Sequence, residues 1–99
     1  MQETTTGTRL IRAAAEKGEY GRAVEIAARM WPEVALQLEQ YRLQMEIYEL
    51  CREKCDWRRA LRALADARIA AVAAGVVELE MVATNRLYEV VKSNEARRA

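Results

Sequence analysis

The two cysteines come nearest to a metal site in residue type and spacing. Cys51 and Cys55 are four positions apart, and residues four apart in one helix project to the same face. A structural zinc ion needs four nitrogen or sulfur ligands, and the chain has no histidine and no third cysteine. Only a dimer could complete a four-cysteine site. We therefore expect two packed thiols near a helix joint, and no metal.

Side chains suited to catalysis are equally few. Ser93 is the single serine, and Asp56 and Asp66 are the only aspartates. Glutamates at helical spacing have no nucleophile, base or metal with which to act. The four glycines are isolated, so the chain has no phosphate-binding loop. We predict that the protein is not an enzyme and carries no cofactor.

Aromatic and basic side chains form the strongest candidate binding surface. Tryptophan and arginine are enriched in binding hot spots, and most of this set lies at one end of a predicted helical hairpin. The predicted partner-binding residues are Trp31, Trp57, Arg58, Arg59 and Arg62.

A structural explanation stands beside this functional one. The arginines would then be a solvated face with local ion pairs, such as Arg58 with Glu53 and Arg62 with Asp66. Trp31, next to Pro32, would pack between hairpins in the core rather than face a partner.

Composition predicts the elements that position these residues. Ala, Leu, Glu and Arg dominate the 99 residues, a mixture that favours helix nearly everywhere, so we predict an all-α fold. The net charge of +1 is unlike that of a strongly basic nucleic-acid binder. The apolar run 69–77 is too short to cross a bilayer, so we expect no membrane partner. Two cysteines without a targeting signal predict a cytoplasmic protein with reduced thiols.

Helix-breaking residues divide the chain into about five helices. We predict helices over about 9–17, 20–30, 32–54, 57–74 and 76–96, with Thr8 and Asp56 as N-caps. Residues 1–7 are predicted to be a disordered lead-in, 8–96 a single helical domain and 97–99 a frayed tail.

The long third helix has the strongest apolar periodicity. Val34, Leu38, Tyr41, Met45 and Tyr48 step by four and three residues, and Leu36, Leu43, Ile47 and Leu50 are predicted to widen the same stripe. The stripe packs in the core, or, if the helix overhangs the domain, forms a self-association seam with another copy.

A duplicated segment defines the architecture. The run EKGEYGRAV at 16–24 returns as EKCDWRRAL at 53–61, and each copy places an acidic cap and an aromatic residue at a joint between helices. Tyr20 is equivalent to Trp57, and Ala23 to Ala60. Two stacked antiparallel hairpins with a C-terminal covering helix follow from this repeat.

The joints carry one family resemblance. Their sequences resemble the tetratricopeptide repeat, whose hairpin joint reads Gly-Asp-Tyr followed by Ala-Leu. The matching residues are Gly18, Glu19, Tyr20, Ala23 and Val24, and then Asp56, Trp57, Ala60 and Leu61. The resemblance implies stacked helix-turn-helix units.

Residues 40–76 carry a second resemblance, to a helical hairpin of small phage proteins that include DNA-packaging small subunits and helix-turn-helix regulators. The residues that carry it are Asp56, Arg58, Ala60, Leu61, Ala63, Leu64 and Arg68. In those proteins a DNA-binding helical module often precedes the hairpin. Here residues 24–41 would hold that place, and the neighbouring Glu33, Glu39 and Glu46 would oppose phosphate binding.

Two functions follow from these patterns. The first is a non-enzymatic interaction module, an adaptor, assembly subunit or inhibitor, that binds another protein through exposed helix faces. The alternative is a phage-type nucleic-acid-binding homo-oligomer for DNA packaging or regulation. It would contact the DNA backbone through the arginine end of the second hairpin and through Lys92, Arg97 and Arg98.

Overall fold

The fold is all-α, as the composition predicted. A computed structural model describes the backbone of residues 2–98 and the side chains of residues 5–94. The five helices are α1 (Gln2–Glu16), α2 (Tyr20–Met30), α3 (Ala35–Glu53), α4 (Trp57–Ala74) and α5 (Val77–Arg98). A short 3₁₀ turn, Pro32–Val34, leads into α3, because proline has no N–H to give and suits the first turn of a helix.

The helices form a closed ring. Each packs mainly against its neighbours in sequence, and α5 returns to contact α1. The guanidinium Nη2 of Arg86 on α5 donates a 2.8 Å hydrogen bond to the carbonyl oxygen of Glu16, at the end of α1. Because successive helices reverse direction and their number is odd, the closing pair, α1 and α5, runs parallel. The ring is elongated, with extents of 48 × 23 × 19 Å.

Three joints of the same geometry connect the long helices. Gly18, Cys55 and Gly75 occupy the left-handed region, with φ of 84°, 57° and 74°. At each joint this residue donates its N–H to the carbonyl three positions back, and the next residue donates to the carbonyl five back. This is the Schellman ending, which satisfies carbonyls that a helix end leaves free. The duplicated segment is therefore a duplicated helix ending, and the joint at Gly75 is a third copy.

Small residues after each of the first two joints let the hairpin helices approach. Ala23 and Ala60 hold equivalent places and are fully buried. Asp56 caps α4 by accepting a hydrogen bond from the Arg59 backbone N–H, whereas Glu19 makes no side-chain cap on α2. The two joints thus share their backbone and differ in their caps.

The N-terminal segment differs from the sequence prediction. Residues 2–7 belong to α1, not to a disordered lead-in, and Thr8 lies inside the helix, where its hydroxyl donates to the carbonyl of Thr5. These extra turns of α1 pack against α2. The backbone of Gly7 lies so close to the side chain of Met30 that a β-carbon at Gly7 would collide with it. At the other end α5 continues to Arg98, so the predicted frayed tail is helical there. Met1 and Ala99 lie outside the described residues.

The core contains three tyrosines, Tyr20, Tyr41 and Tyr48, whose hydroxyls differ in their hydrogen bonding. Tyr20 and Tyr41 pack edge to face, with ring centroids 6.5 Å apart. The Tyr20 hydroxyl donates to Glu49 at 3.5 Å, whereas the Tyr41 hydroxyl has no hydrogen-bond partner in the part of the chain that is described. Burial raises the pKa of Tyr41, and the nearby Tyr20 raises it further. Burial also raises the pKa of Tyr20, although a hydrogen bond from Arg86 opposes the change.

Candidate protein-binding surface

The structure places the predicted binding residues at two separate positions. Trp31 is half-buried between α2 and the 3₁₀ turn, whereas the other four lie at the first turns of α4. The 19-residue helix α3 separates the two positions, a distance of about 28 Å at 1.5 Å per residue. Trp31 and the arginines therefore do not form one compact site.

The arginines differ in their ion pairing. Arg59 contacts the Asp56 carboxylate, with 3.5 Å between Nε and Oδ2. Arg58 and Arg62 are exposed, and no described carboxylate lies within 4.0 Å of either guanidinium. The expected pairs with Glu53 and Asp66 are absent from the described ion pairs. Two guanidiniums on the outer side of α4 therefore stay available to groups outside the chain.

Trp57 faces a different direction from these arginines. It is half-buried, packs against the core and lines a groove of ≈380 Å³. Tyr48 and Arg52 from α3, Cys55 from the joint, and Glu89, Val90 and Ser93 from α5 form the rest of the groove. A hydrogen bond with Tyr48 and the charge of Glu49 raise the pKa of Arg52. The lining of this groove mixes polar and apolar groups, with Trp57 and Val90 among the apolar ones.

The predicted self-association seam is wrong. Leu38, Tyr41, Met45 and Tyr48 are buried in the chain's own core, and Val34 is half-buried against it. The reason is the ring, which surrounds this stripe of α3 with other helices and leaves no overhang.

The residues expected to widen that stripe lie on the opposite side of α3. Leu36, Leu43, Ile47 and Leu50 are exposed, Leu36 by 74%. With Gln40 they step by four, three, four and three residues, which is a second stripe, suited to a partner helix. The outer side of α5 repeats this spacing with Val77, Met81, Thr84, Tyr88 and Val91, of which Tyr88 is exposed by 68%.

The exposed apolar side chains are concentrated on three neighbouring helices. Of the eleven large ones among residues 5–94, ten lie on α3, α4 and α5, and only Leu10 lies elsewhere. We call these ten the outer apolar face: Leu36, Leu43, Ile47, Leu50, Ile69, Val72, Val77, Met81, Tyr88 and Val91. Exposed apolar side chains that are concentrated on neighbouring helices mark an interaction surface more often than scattered ones do.

Ile69 borders a groove on each side of α4. It lines a groove of ≈330 Å³ between α3 and α4, together with Gln40 and Asp66, and also a groove of ≈390 Å³ beside α5, together with Val72 and Leu87. Ile69 therefore lies between the α3 part and the α5 part of the face. The two grooves are wide and open, which suits a helix or another extended surface.

The face also has a charge pattern. Helix α3 carries four carboxylates and two guanidiniums, for a net charge of −2, and α4 carries four guanidiniums and one carboxylate, for +3. Glu39 and Glu46 both bind Arg42, at 2.8 and 3.0 Å. The outer side of the hairpin is thus acidic along one helix and basic along the next.

The cysteines do not share a helix face. Helix α3 ends at Glu53, so Cys55 lies in the joint while Cys51 lies in the helix. Both thiols are free, Cys51 half-buried and Cys55 exposed. No group of three or more metal-ligating side chains is found among the described residues.

Comparison with known proteins adds no assignment, because no family model, curated protein or solved structure matches the chain. The two resemblances, to the tetratricopeptide repeat and to phage helical hairpins, stay predictions. None of the helices within residues 2–98 has both the length and the apolar character needed to span a membrane.

The outer apolar face was visible in the sequence as spacing alone. The steps from Leu36 to Leu50 and from Val77 to Val91 are as regular as those of the buried stripe. What the sequence did not supply was which of two regular stripes on α3 the neighbouring helices would cover.

Proposed function

We propose that the chain is a non-enzymatic protein-interaction module, an adaptor, assembly subunit or inhibitor, that binds protein through the outer apolar face. One observation carries the proposal: among residues 5–94, ten of the eleven large exposed apolar side chains lie on three consecutive helices. The core is already complete without them, so their burial is not needed for folding. Leaving them in water costs about 25 cal/mol for each Å² that a partner could cover.

The form of the face favours helical partners. Two stripes with four-three spacing lie on α3 and α5, each with one polar residue among its five positions, Gln40 and Thr84. A single polar residue in such a stripe lowers affinity and selects the register of the partner. The free thiols support a reducing compartment such as the cytoplasm as the place of action.

The experiment is a binding assay with one variant for each helix of the face. Leu36→Asp, Ile69→Asp and Tyr88→Asp each put a charge on an exposed position, and Leu10→Asp is the matched control on α1. Tagged chains capture partners from a lysate, and a captured protein is then purified and titrated against each variant. We expect at least a tenfold loss of affinity for a face variant and less than a threefold change for Leu10→Asp. A partner that binds all three face variants as it binds the wild type would refute the proposed surface.

A second candidate function is nucleic-acid binding, which the two unpaired guanidiniums of Arg58 and Arg62 favour. They lie on a helix of net charge +3 and could contact phosphates. Lys92 is exposed on α5, whereas the side chains of Arg97 and Arg98 lie outside those described. A fluorescence titration with duplex DNA tests this function. Binding at low salt that weakens steeply with added salt and with Arg58→Ala supports it, and no binding at low salt removes it.

A further inference from the structure

We propose that a second copy of this chain covers the α3–α4 part of the outer apolar face, in a two-fold dimer that sets α3 of each copy against α4 of the other. The inference rests on the proposed function and names one partner of that surface. The α5 stripe, with Tyr88 at its centre, stays outside this interface and open to a different protein.

Charge complementarity selects this partner. The exposed side of α3 has an acidic row, with one acidic residue every seven positions along one edge of its apolar stripe: Glu39, Glu46 and Glu53. Glu39 and Glu46 share the single guanidinium of Arg42, and Glu53 has no ion pair among the described residues. The outer side of α4 offers the two unpaired guanidiniums of Arg58 and Arg62. The net charges of the two helices, −2 and +3, are opposite, so each helix is a suitable neighbour for the other one in a second copy.

The register within one chain fixes which residues would meet. Gln40 and Gln44 of α3 line the same groove as Ala70 and Asp66 of α4, so these residues lie at matching heights. Height here means position along the long axis of the hairpin. A two-fold axis of the dimer that runs parallel to the helices gives each residue the same height in both copies.

The remaining heights follow from the antiparallel course of α3 and α4. Leu36 reaches the height of Val72, and Glu53 that of Arg58, each within about one helical turn. Glu46 reaches that of Arg62 by the same reckoning. Leu36 thus meets Val72 at one end of the hairpin, and Glu46 and Glu53 meet Arg62 and Arg58 at the other.

The competing two-fold arrangement is unfavourable. An axis that crosses the helices would set α3 against α3 of the second copy and bring the acidic row towards itself. It would also set α4, with its four guanidiniums, against its own copy. Like charges that face each other across an interface select against that arrangement.

The area is adequate for a dimer of moderate affinity. Two helices of about 28 Å, packed about 8–10 Å apart, present a footprint of roughly 28 by 20 Å on each copy. The accessible area of such a corrugated footprint exceeds its projection. It therefore approaches the standard of about 800 Å² per partner.

A pair of charge-reversed variants tests the arrangement. One variant carries Glu46→Lys and Glu53→Lys on α3, and the other carries Arg58→Glu and Arg62→Glu on α4. Alone, each variant sets like charges across both halves of its own dimer. Mixed, the reversed α3 meets the reversed α4 in one half, and the two native helices meet in the other half, so every contact is again between opposite charges.

The readout is molar mass by light scattering and sedimentation at up to about 100 µM, a range that reveals a micromolar dissociation constant. We expect the wild type to dimerise and each variant alone to dimerise at least tenfold more weakly. The equimolar mixture should form a heterodimer within threefold of the wild-type affinity. Circular dichroism melts check folding, and the single changes Glu53→Lys and Arg58→Glu replace the doubles if these melt early. Glu53→Lys puts a positive charge at the C-terminal end of α3, and Arg58→Glu puts a negative charge at the N-terminal end of α4. Both charges are favourable with the helix dipole at those ends.

Two results would overturn the inference. One is a folded wild type that stays monomeric across this range, and the other is a dimer in which the mixture is no stronger than the separate variants. Neither result bears on binding of other proteins, because the Tyr88→Asp assay reports on that function separately. Failure of both experiments would remove the outer apolar face as a binding surface altogether.

Discussion

The left-handed backbone of Cys55 leads to a quantitative prediction about stability. Cys55 has φ of 57°, whereas the equivalent residue at each of the other two joints is a glycine. A left-handed conformation costs an L-residue about 1–2 kcal/mol. Glycine avoids that cost and loses about 0.5–1 kcal/mol through its greater freedom in the unfolded chain. The net expectation for Cys55→Gly is a gain of about 0.5–1 kcal/mol in the free energy of unfolding.

The assay is thermal and urea unfolding of Cys55→Gly beside Cys55→Ala. The alanine variant removes the thiol and keeps the strain, because alanine has the same difficulty with positive φ as cysteine. Cys55 is exposed, so little packing is lost in either variant. We expect the glycine variant to melt roughly 2–8 °C above the alanine variant, the shift that about 0.5–1 kcal/mol produces in a domain of this size.

The reverse substitutions complete the test. Gly18→Ala and Gly75→Ala should each lower the free energy of unfolding by about 1 kcal/mol, because each puts a β-carbon on a left-handed backbone. If Cys55→Gly is no more stable than Cys55→Ala while the two glycine variants are destabilised, the reasoning about strain at Cys55 fails. If none of the four variants changes stability, the equivalence of the three joints fails.

Two further predictions concern the core. The pKa of Tyr41 is higher in the folded state than in the unfolded state, so the folded state holds the hydroxyl proton more tightly. The contribution of Tyr41 to the free energy of unfolding is therefore intact below about pH 10 and falls as the pH rises further. Tyr41→Phe should reduce this alkaline loss of stability, measured by urea unfolding at several pH values. At pH 7 the variant should be as stable as the wild type or more stable by about 1 kcal/mol, because it removes a buried hydroxyl that has no partner among the described residues. A loss above about 2 kcal/mol would contradict this account. Leu38→Ala should lower the free energy of unfolding by about 2–5 kcal/mol, because Leu38 is fully buried. Leu36→Ala, two residues away on the exposed side of α3, should change it by less than about 0.5 kcal/mol. Similar losses at both positions would show that the two stripes are not distinct.

Local signals in the sequence were sufficient for the helices and their joints. Gly18 and Gly75 suit the left-handed ending, Asp56 caps the next helix and Pro32 begins one, and each acts through its own backbone chemistry. The α2 and α4 bounds, Tyr20–Met30 and Trp57–Ala74, agree with the predicted ones for that reason. The start of α1 was missed because its cause is distant in sequence, the packing of Gly7 on Met30.

The binding surface could be predicted only in part. The sequence showed the four arginines of α4, but it did not show that only Arg59 among them forms an ion pair within the described residues. Helix α3 has two regular apolar stripes, one through Leu38 and one through Leu36, and local spacing treats them alike. The ring of five helices decides between them, because it covers one stripe and leaves the other in water.

The closure of the ring bears on how the chain folds. Most of the packing joins helices that follow one another in sequence, so these contacts form at short separations, as in fast-folding helical proteins. The contact between α1 and α5 spans nearly the whole chain, and closing that loop costs the most entropy. We therefore expect α1, which the ring holds through α2 and through the Arg86 bond, to dock late in folding. Its amide hydrogens should exchange with solvent sooner than those of α3 and α4.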